Sequence, residues 1–591
     1  MQEGEEIIMV ELTINGKTVS VPEGTTILKA AETIGIKIPT LCYCDDLEAW
    51  ASCGICVVKN VDPRTGRARM ARACCTAVTP GMNIVTNDAD LMKARRTVLE
   101  LILSNHPDNC LKCTRNQNCE LQKLAGQFGL TDIRFERRLK GQPVDDSYAE
   151  IVLDRDKCIN CGRCITACHD MQNVFALEYN GRGDKTIIGP VAGRVLKDSP
   201  CIRCGQCAVH CPVGAITFKN PIKTVFDKLG NKDIVGVAAM APSVRAAIGE
   251  EFGMAPGTLT TGKIYAALRQ LGFKYVFDTN FAADLTIMEE GNELLERVSK
   301  GGKLPMFTSC CPGWIDYCEK KFHDMLPHLS TCKSPQAMQG AITKTYFAEK
   351  NGLKKEQIYN VSIMPCTAKL WESQRDKSMS SSGVQDYDIV LTTRELAMLI
   401  REAGIDFANL PEESADNLIG SYTGAGTIFG VTGGVMEAAI RTAYFVTNKK
   451  ELGPVEYEPV RGMDGVKSAE VDLNGTKVRI AVVHQIKNVD AVVEQIRADL
   501  AAGKEPTWHF IEVMACRGGC IGGGGQPYGV TDEVRAARTK ALYTDDEKCT
   551  IRQSHNNPEI AAIYKDFLGE PLGHKSHELL HTSYVELDQY R

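Results

Sequence analysis

The first hundred residues switch between strand-like and helix-like spacing of their apolar positions. Apolar and polar residues alternate over 10–21, around the hairpin turn signal Asn15-Gly16. Helical spacing follows over 27–34, and Gly35 is placed to end that helix. A second amphipathic helix is predicted over 88–104. The pattern predicts a small domain that contains a β-hairpin, followed by a helix.

Beyond residue 218 the pattern changes to short, continuously apolar runs separated by helical stretches. Such runs are typical of buried strands in parallel sheets, and the first one ends at Ala241-Pro242-Ser243, before a predicted helix. We therefore predict lobes with central, largely parallel sheets, whose ligands sit at the strand ends. From Val534 onward the pattern is helical. The predicted strands cover 234–239, 361–364, 389–391 and 480–483.

Length and charge narrow the class of protein. A chain of 591 residues predicts about three to five domains, because one hydrophobic core cannot grow to that size. The 68 basic and 74 acidic side chains give a formal charge of −6, which does not favour nucleic acid as a partner. The acidic residues 1–6 do not resemble a secretory signal, and no apolar stretch is long enough to span a bilayer. We expect a cytoplasmic protein with no nucleic-acid or membrane partner.

Cysteine is the outlier of the composition, with 25 residues. Because the cytosol keeps thiols reduced, so many cysteines favour metal ligation over disulfides. The first group has the spacing of a [2Fe–2S] site, with a structural zinc site as the alternative. With its hairpin and helix it resembles the β-grasp fold of plant-type ferredoxins, and the resemblance favours Cys74 over Cys75. Its predicted ligands are Cys42, Cys53, Cys56 and Cys74.

The second group offers one imidazole and three thiols in the spacing H-x3-C-x2-C-x5-C. Spacing alone does not decide whether this group would bind zinc or an iron–sulfur cluster. Its position after a [2Fe–2S] module resembles a segment shared by complex I large subunits and iron-only hydrogenases, which implies a [4Fe–4S] cluster. Its residues are His106, Cys110, Cys113 and Cys119.

Two further runs repeat the spacing C-x2-C-x2-C-x3-C, which is the signature of two-cluster bacterial ferredoxins. In that signature the fourth cysteine of each run ligates the other cluster. An eight-cysteine match disfavours zinc. The predicted [4Fe–4S] ligands are Cys158, Cys161, Cys164 and Cys211 for one cluster, and Cys201, Cys204, Cys207 and Cys168 for the other.

The remaining chemistry lies where apolar runs of the α/β region end. Three segments there read TSCCPGW (308–314), MPCTAKLWE (364–372) and EVMACRGGCIGGGGQP (512–527). Neighbouring side chains diverge, so Cys310 and Cys311 cannot easily ligate one metal centre, and one of them is left for another role. The dense glycines would let backbone approach a bulky group. These segments resemble the three H-cluster signatures of [FeFe]-hydrogenases, and with the N-terminal modules the resemblance covers essentially the whole chain.

The resemblance implies an H-cluster, in which a [4Fe–4S] cubane is joined to a two-iron unit that carries CO, CN⁻ and a dithiolate. It implies that Cys311, Cys366, Cys516 and Cys520 ligate the cubane and that Cys520 bridges to the two-iron unit. Lys369 would donate to a cyanide. The further expected contacts of this unit are the backbone at Ala241-Pro242 and the side chains of Gln336, Met364 and Met514. For each methionine, ordinary core packing is an equally good interpretation.

The same resemblance implies a route for protons away from the two-iron unit. Cys310 would receive the proton, and Glu290, Ser330, Glu293 and Arg297 would carry it outward. A buried carboxylate has a raised pKa that suits proton transfer near neutral pH. Without the resemblance, Glu293 and Arg297 would be read as a surface ion pair at i,i+4. The five cysteines that match no ligand set are Cys44, Cys75, Cys318, Cys332 and Cys549.

The resemblance also implies the domain order and the activity. We expect a [2Fe–2S] domain at 1–86, the one-His/three-Cys segment at 87–146, a two-cluster ferredoxin domain at 147–220, a two-lobed α/β H-cluster domain at 221–532 and a helical, small-subunit-like segment at 533–591. The expected reaction is reversible interconversion of H2 with protons and electrons. The electron partner would be ferredoxin alone or a complex with flavin- and NAD-binding subunits. Gly424–Gly430 fits no nucleotide-binding motif, so any NAD chemistry would take place on another subunit. The family also uses maturation proteins for the two-iron unit. There are two alternatives: an electron-transfer or iron–sulfur assembly protein without hydrogenase activity, and an H2 sensor.

Overall fold

The computed structural model describes residues 8–453, 456–461, 463 and 465–590. The chain divides into two compact units. The first comprises Met1–Ala167, Ala176–Leu196 and His210–Thr217, and the second comprises Cys168–Phe175, Lys197–Val209 and Phe218–Arg591. The acidic stretch at 1–6 lies outside the described residues. Within the described part of the chain, no helix has both the length and the apolar composition that a bilayer crossing needs.

The first unit is built on a five-stranded sheet with strand order β2-β1-β5-β3-β4. β1 and β2 form the predicted hairpin, with positive φ at both turn residues, Asn15 and Gly16. β1 pairs in parallel with β5, while the other pairings are antiparallel. The strands are β1 Met9–Ile14, β2 Lys17–Pro22, β3 Val57–Val61, β4 Ala68–Arg72, β5 Asn83–Val85, β6 Val152–Leu153, β7 Glu178–Asn180, β8 Ile187–Gly189 and β9 Ile216–Thr217.

Both helices predicted at the start of the chain are present. α1 buries its apolar face in the core of the sheet, and Gly35 follows it with a positive φ of 74°. The side chain of Asp88 caps α2 by accepting from Leu91 N–H. The buried Arg95 of α2 donates to two backbone carbonyls, those of Val57 and Thr86. The helices are α1 Ile27–Thr33, α2 Ala89–Ser104, α3 Glu120–Gln127 and α4 Arg163–Thr166.

The second unit contains two sheets, each with its own hydrophobic core. The four-stranded sheet has the order β11-β10-β13-β14 and is parallel throughout, as predicted. The five-stranded sheet has the order β12-β18-β17-β16-β15 and is parallel only from β12 to β17. The expectation of largely parallel sheets is therefore wrong for its other half, where β16 and β17 form a hairpin. The strands are β10 Val235–Met240, β11 Tyr275–Asp278, β12 Met306–Phe307, β13 Ile358–Met364, β14 Ile389–Thr392, β15 Glu458–Pro459, β16 Val466–Leu473, β17 Thr476–His484 and β18 Phe510–Met514.

The helices of the second unit depart from the sequence prediction at one point. The segment after Ala241-Pro242-Ser243 forms only short 3-10 turns, at Pro242–Val244 and Ile248–Phe252, and a regular helix begins at Thr261. The helices are α5 Gln206–Val209, α6 Ile222–Leu229, α7 Thr261–Gln270, α8 Asn280–Lys300, α9 Pro312–Lys321, α10 Pro335–Ile342, α11 Ala348–Lys350, α12 Ala368–Glu372, α13 Thr393–Glu402, α14 Gly424–Ile428, α15 Gly434–Asn448, α16 Val489–Ala501, α17 Asp532–Lys548, α18 Pro558–Ile563 and α19 His574–Leu580.

The C-terminal segment is helical as predicted and is fixed by buried polar contacts. Asp284 of α8 accepts from Thr423 and from two residues of this segment, Ser554 and Asn557. Beyond α19 the chain continues without a helix and places Tyr584 against the carbonyl of Ser330. The segment is therefore an integral part of the second unit.

Candidate active site

Four cysteines of the three signature segments line one cavity in the second unit. The cavity holds about 840 Å³ of space that protein atoms do not fill. Cys311 lies at the start of α9, directly after β12, and Cys366 follows β13. Cys516 and Cys520 follow β18. Because each cysteine comes from the carboxyl end of a strand, the two sheets bring together residues that are far apart in sequence.

The chemistry of these four thiols fits a metal cluster. Burial raises the pKa of each one, that of Cys366 to about 12. The charge of Cys311 further raises the pKa of the other three, because the four sulfurs lie close together. The four are free of disulfides. Two sulfurs already accept N–H groups, Cys311 from Ala515 N–H at 3.3 Å and Cys516 from Gln206 Nε2 at 3.3 Å. N–H donors to sulfur are contacts that stabilise metal-bound thiolates.

Two buried hydroxyl groups in the cavity wall were missed by sequence reasoning. The side-chain oxygens of Ser243 and Thr279 have no hydrogen-bond partner among the described residues. Ala241 and Pro242 also line the cavity, but Ala241 N–H already donates to Ile363 and proline has no N–H. A polar ligand in the cavity would find further donors in these hydroxyls.

Lys369 is buried and already has partners in the cavity wall. Its Nζ donates to Glu372 at 2.8 Å and to the carbonyl of Cys310 at 3.0 Å. The Gln336 amide is also engaged, because it donates to the Lys369 carbonyl and accepts from Ser362 Oγ. Met364 and Met514 line the cavity, as expected. Among the side chains expected to contact the ligand, Lys369 is the one that both lines the cavity and carries a charge.

The dense glycines allow close backbone packing as well as close approach to the cavity. A Cβ at Gly523 or Gly524 would lie within 2.4 Å of a backbone carbonyl of another segment, and a Cβ at Gly522 would lie as close to the carbonyl of Arg517 in the same segment. The glycine run therefore permits protein backbone to pack on protein backbone, and only part of it, including Gly519 and Gly523, lines the cavity. Gly430 also lines it, so the Gly424–Gly430 segment is part of the cavity wall.

The residues expected to carry protons form a chain that leads away from the cavity. Ser330 Oγ donates to Glu293 at 2.8 Å, and Arg297 Nη2 donates to Glu293 at 2.6 Å. The Glu293–Arg297 pair is mostly buried, with side chains 10% and 13% exposed, so it is not a surface pair. Glu290 lies near Cys310, Ser330 and the backbone of Ser309. Neither carboxylate oxygen has a partner at normal hydrogen-bond distance among the described residues, but the longer interactions with Ser330 and Ser309 favour the ionised carboxylate. Burial, and next the charge of Glu293, raise the pKa of Glu290 to about 8.

In the first unit, the predicted [2Fe–2S] cysteines converge. Cys56 Sγ and Cys74 Sγ are 3.4 Å apart, and Cys53 N–H donates to Cys42 Sγ at 3.5 Å. Cys75 is exposed and its thiol contacts the carbonyl of Arg72 instead. The geometry favours Cys74 as the fourth ligand.

The one-His/three-Cys segment also lies in the first unit. Burial lowers the pKa of His106 to about 4, which leaves the neutral imidazole that a metal binds, and its Nδ1 has no partner among the described groups. Burial raises the pKa of Cys119, and the charge of Cys113 contributes. The neutral, unpartnered imidazole is compatible with the predicted ligand set, which stays a prediction.

The eight ferredoxin-like cysteines divide between the two units as the exchange of fourth ligands requires. Cys211 belongs to the unit that contains Cys158, Cys161 and Cys164. Burial is the largest cause of the raised pKa of Cys161, and the charge of Cys211 is the second. Cys168 belongs to the unit that contains Cys201, Cys204 and Cys207. Cys204 also lines the active-site cavity. Each predicted ligand set therefore lies within one unit.

Family models match five consecutive parts of the chain. In chain order they are a 2Fe-2S iron-sulfur cluster binding domain at 8–89, the NADH-ubiquinone oxidoreductase-G iron-sulfur binding region at 95–134, a 4Fe-4S dicluster domain at 157–215, the C-terminal domain of the iron only hydrogenase large subunit at 235–524 and the iron hydrogenase small subunit at 532–586. Together they define an iron–sulfur oxidoreductase with a hydrogenase catalytic domain.

Similar proteins extend the match over the whole chain. The NADP-reducing hydrogenase subunit HndD of Solidesulfovibrio fructosivorans is 49% identical, over 98% of this chain and 99% of its own. Iron hydrogenase 1 of Clostridium pasteurianum is 40% identical, over 98% of this chain and 100% of its own. A structure of the [FeFe]-hydrogenase HydA1 from Chlamydomonas reinhardtii covers 62% of this chain and 98% of its own, with 41% identity and a TM-score of 0.56.

The chain belongs to the [FeFe]-hydrogenase family. It is an iron hydrogenase that interconverts H2 with protons and electrons, with [2Fe–2S] and [4Fe–4S] domains that relay electrons and a domain for the H-cluster.

Proposed function

We propose that this chain is the hydrogen-converting subunit of a nicotinamide-linked hydrogenase complex. In this proposal it exchanges electrons with flavin- and NAD-binding subunits and with ferredoxin. The similarity to a protein described as an NADP-reducing hydrogenase subunit runs from end to end, which supports the proposal. Electrons would have to leave through partners, because the sequence offers no motif that would bind a nucleotide here.

The proposed H-cluster ligands are the four cysteines of the cavity. Cys311, Cys366, Cys516 and Cys520 hold the cubane, and Cys520 bridges to the two-iron unit. The bound cofactor supplies the metal site at which H2 is made or split. The protein holds the two-iron unit through the Lys369 ammonium and the cavity walls, to which Ala241, Pro242, Ser243, Gln336, Met364 and Met514 contribute.

The accessory clusters are proposed to be one [2Fe–2S] and three [4Fe–4S] clusters, in domains at 1–86, 87–146 and 147–220. The β-grasp assignment of the first domain is supported by its mixed sheet with a parallel β1–β5 pairing and by the crossing helix α1. Cys204 lies in the wall of the active-site cavity, so the cluster that it holds is the proposed last step before the H-cluster. The catalytic domain and the C-terminal segment are assigned to 221–532 and 533–591.

The proposed proton path consists of Cys310, Glu290, Ser330, Glu293 and Arg297. Its support is the hydrogen-bonded chain from Ser330 to Arg297 and the raised pKa of Glu290, which keeps a transferable proton on that carboxyl at neutral pH. Cys310 lines the cavity and is not needed as a ligand. We further propose that the protein is cytoplasmic and depends on maturation proteins for the two-iron unit.

The test is to produce the chain with and without the maturation proteins and to assay both samples. Matured protein should evolve H2 from reduced ferredoxin alone, and from NADH only when the flavin-binding partner is added. Its infrared spectrum should show CO and CN⁻ bands that the other sample lacks. Matured protein without these bands would refute the cofactor, whereas ferredoxin-driven activity with no response to NADH and the partner would refute the nicotinamide link.

A further inference from the structure

A histidine of the C-terminal segment lies beside the proposed proton path. His581, Glu293 and Cys332 are all buried, and one side-chain ligand atom from each lies within 4.8 Å of the other two. His581 Nδ1 is 2.8 Å from the hydroxyl of Thr331, whose backbone N–H donates to both oxygens of Glu293. The imidazole therefore lies within 4.8 Å of the carboxylate at which the path from Ser330 arrives.

The surroundings of His581 suit a ring that takes up a proton. Its Nε2 lies 3.2 Å from Glu289. Burial opposes the charge of Glu289, but hydrogen bonds from His581, Tyr564 and Leu572 N–H hold the pKa of that carboxyl below its usual value. The Glu289 carboxylate therefore faces the ring as a hydrogen-bond acceptor. Both ring nitrogens have protein partners, so the group is a hydrogen-bond network and not a vacant metal site.

A second histidine connects this buried ring to the surface. His577 lies one turn earlier on α19, and the two ring centroids are 4.2 Å apart. His577 is exposed, whereas His581 is only 7% exposed. The charged group that faces His577 from α8 is Glu296, whose pKa is lowered chiefly by Lys300. The groups that face His581 are Glu289, Glu293, Cys332 and, through Glu289, Tyr564.

We propose that His581 and His577 form a second proton exit, parallel to the one at Arg297; the inference rests on the proposed proton path. Protonated Glu293 gives its proton to His581, which leaves a carboxylate and an imidazolium. The imidazolium passes the proton to His577, and His577 releases it to buffer. No electron moves in these steps, and they run in reverse when H2 is evolved. An imidazole ring can accept a proton on one nitrogen and release one from the other, which is what a relay between a buried acid and solvent requires.

The test compares matured His577→Gln, Arg297→Gln and the double variant, with His574→Gln as the control. His574 is exposed on the same helix, so its replacement should leave turnover unchanged. Because parallel exits substitute for each other, each single variant should lose about twofold in turnover and the double variant about tenfold or more. Millimolar imidazole should restore the double variant, since a small base can replace a lost relay but cannot repair a structural defect.

The other outcomes are equally decisive. A double variant that is no slower than Arg297→Gln, or that imidazole does not rescue while its CO and CN⁻ bands are intact, would overturn the histidine exit. Matured His581→Gln provides a second measurement, because it should flatten the pH dependence of the residual rate in the Arg297→Gln background. Wild-type protein that carries the infrared bands but does not turn over H2 would refute the proposed path itself, and the exit with it.

Discussion

Glu290→Gln is the sharpest perturbation of the proposed proton path. The substitution keeps the shape of the side chain and removes the only proton that Glu290 can transfer. Neither carboxylate oxygen has a partner at normal hydrogen-bond distance among the described residues, and a glutamine carbonyl can keep the longer contacts with Ser330 and Ser309. A positioned acid or base contributes about 10²- to 10⁴-fold to a rate, and we expect a loss of at least about 100-fold in both H2 evolution and H2 uptake.

The same substitution has a stability consequence whose sign follows from the pKa of Glu290. Burial and the charge of Glu293 raise that pKa from 4.5 to about 8. Between these pH values the folded protein binds a proton that the unfolded chain has lost, so the free energy of unfolding falls as pH rises. The slope is about 1.4 kcal/mol per pH unit, or roughly 5 kcal/mol across the window. Glutamine cannot ionise, so the variant lacks this contribution.

The assay pairs methyl-viologen-driven H2 evolution with thermal unfolding from pH 5 to pH 9, on matured protein with intact infrared bands. The unfolding temperature of the variant relative to wild type should rise between pH 5 and about pH 8 and then level off. Glu402→Gln, the same chemical change at an exposed site, should alter neither measurement. A stability difference that does not vary with pH would refute the raised pKa, and turnover within threefold of wild type would remove Glu290 from the path.

Five further substitutions separate the roles of neighbouring residues. Cys310→Ala should keep the infrared bands of the H-cluster and lose nearly all turnover; loss of the bands would make Cys310 a ligand instead. Cys74→Ser should shift or abolish the electron paramagnetic resonance signal of the [2Fe–2S] cluster, while Cys75→Ser should not, because only Cys74 contacts the other ligand cysteines. Lys369→Met should lower the free energy of unfolding by about 3–5 kcal/mol, since it leaves the buried Glu372 carboxylate unpaired. Adding Glu372→Gln should restore most of the lost free energy of unfolding but should not restore activity. Thermal unfolding and H2 assays would measure the two quantities.

The sequence predicted best what depends on local spacing. The β1–β2 hairpin, the capped helix α2 and the strands β10, β13, β14 and β17 all lie where periodicity placed them. Ligand cysteines were visible for the same reason, because a cluster binds through short, repeated spacings. The antiparallel half of the second sheet was missed, since short apolar runs do not reveal the direction in which strands pair.

Contacts between distant segments could not be read from the sequence. Ser243 and Thr279 are ordinary hydroxyl residues, and only their burial without a partner in the cavity wall marks them. The sequence also does not reveal that Ala241 N–H, just beyond β10, donates to the Ile363 carbonyl of β13 and so is not free for a ligand. His581 and Tyr584 reach the proton path from more than 250 positions away, through the pairing of the C-terminal segment with the chain around Thr331.

The adjacent cysteines show how one short segment can serve electrons and protons separately. Cys311 begins α9, and its sulfur accepts Ala515 N–H, so it faces the strand end that carries Cys516. Cys310 remains outside the helix, where its carbonyl accepts from Lys369 and its thiol lies near Glu290. Burial, and then the charge of Glu290, raise the pKa of that thiol well above its usual value, so Cys310 keeps its proton at rest. Burial raises the pKa of both thiols, but backbone N–H groups face Cys311 and favour its thiolate, whereas the carboxyl of Glu290 faces Cys310 and disfavours one. The backbone turn between β12 and α9 thus gives the two neighbours different surroundings, which suit a ligand and a relay respectively.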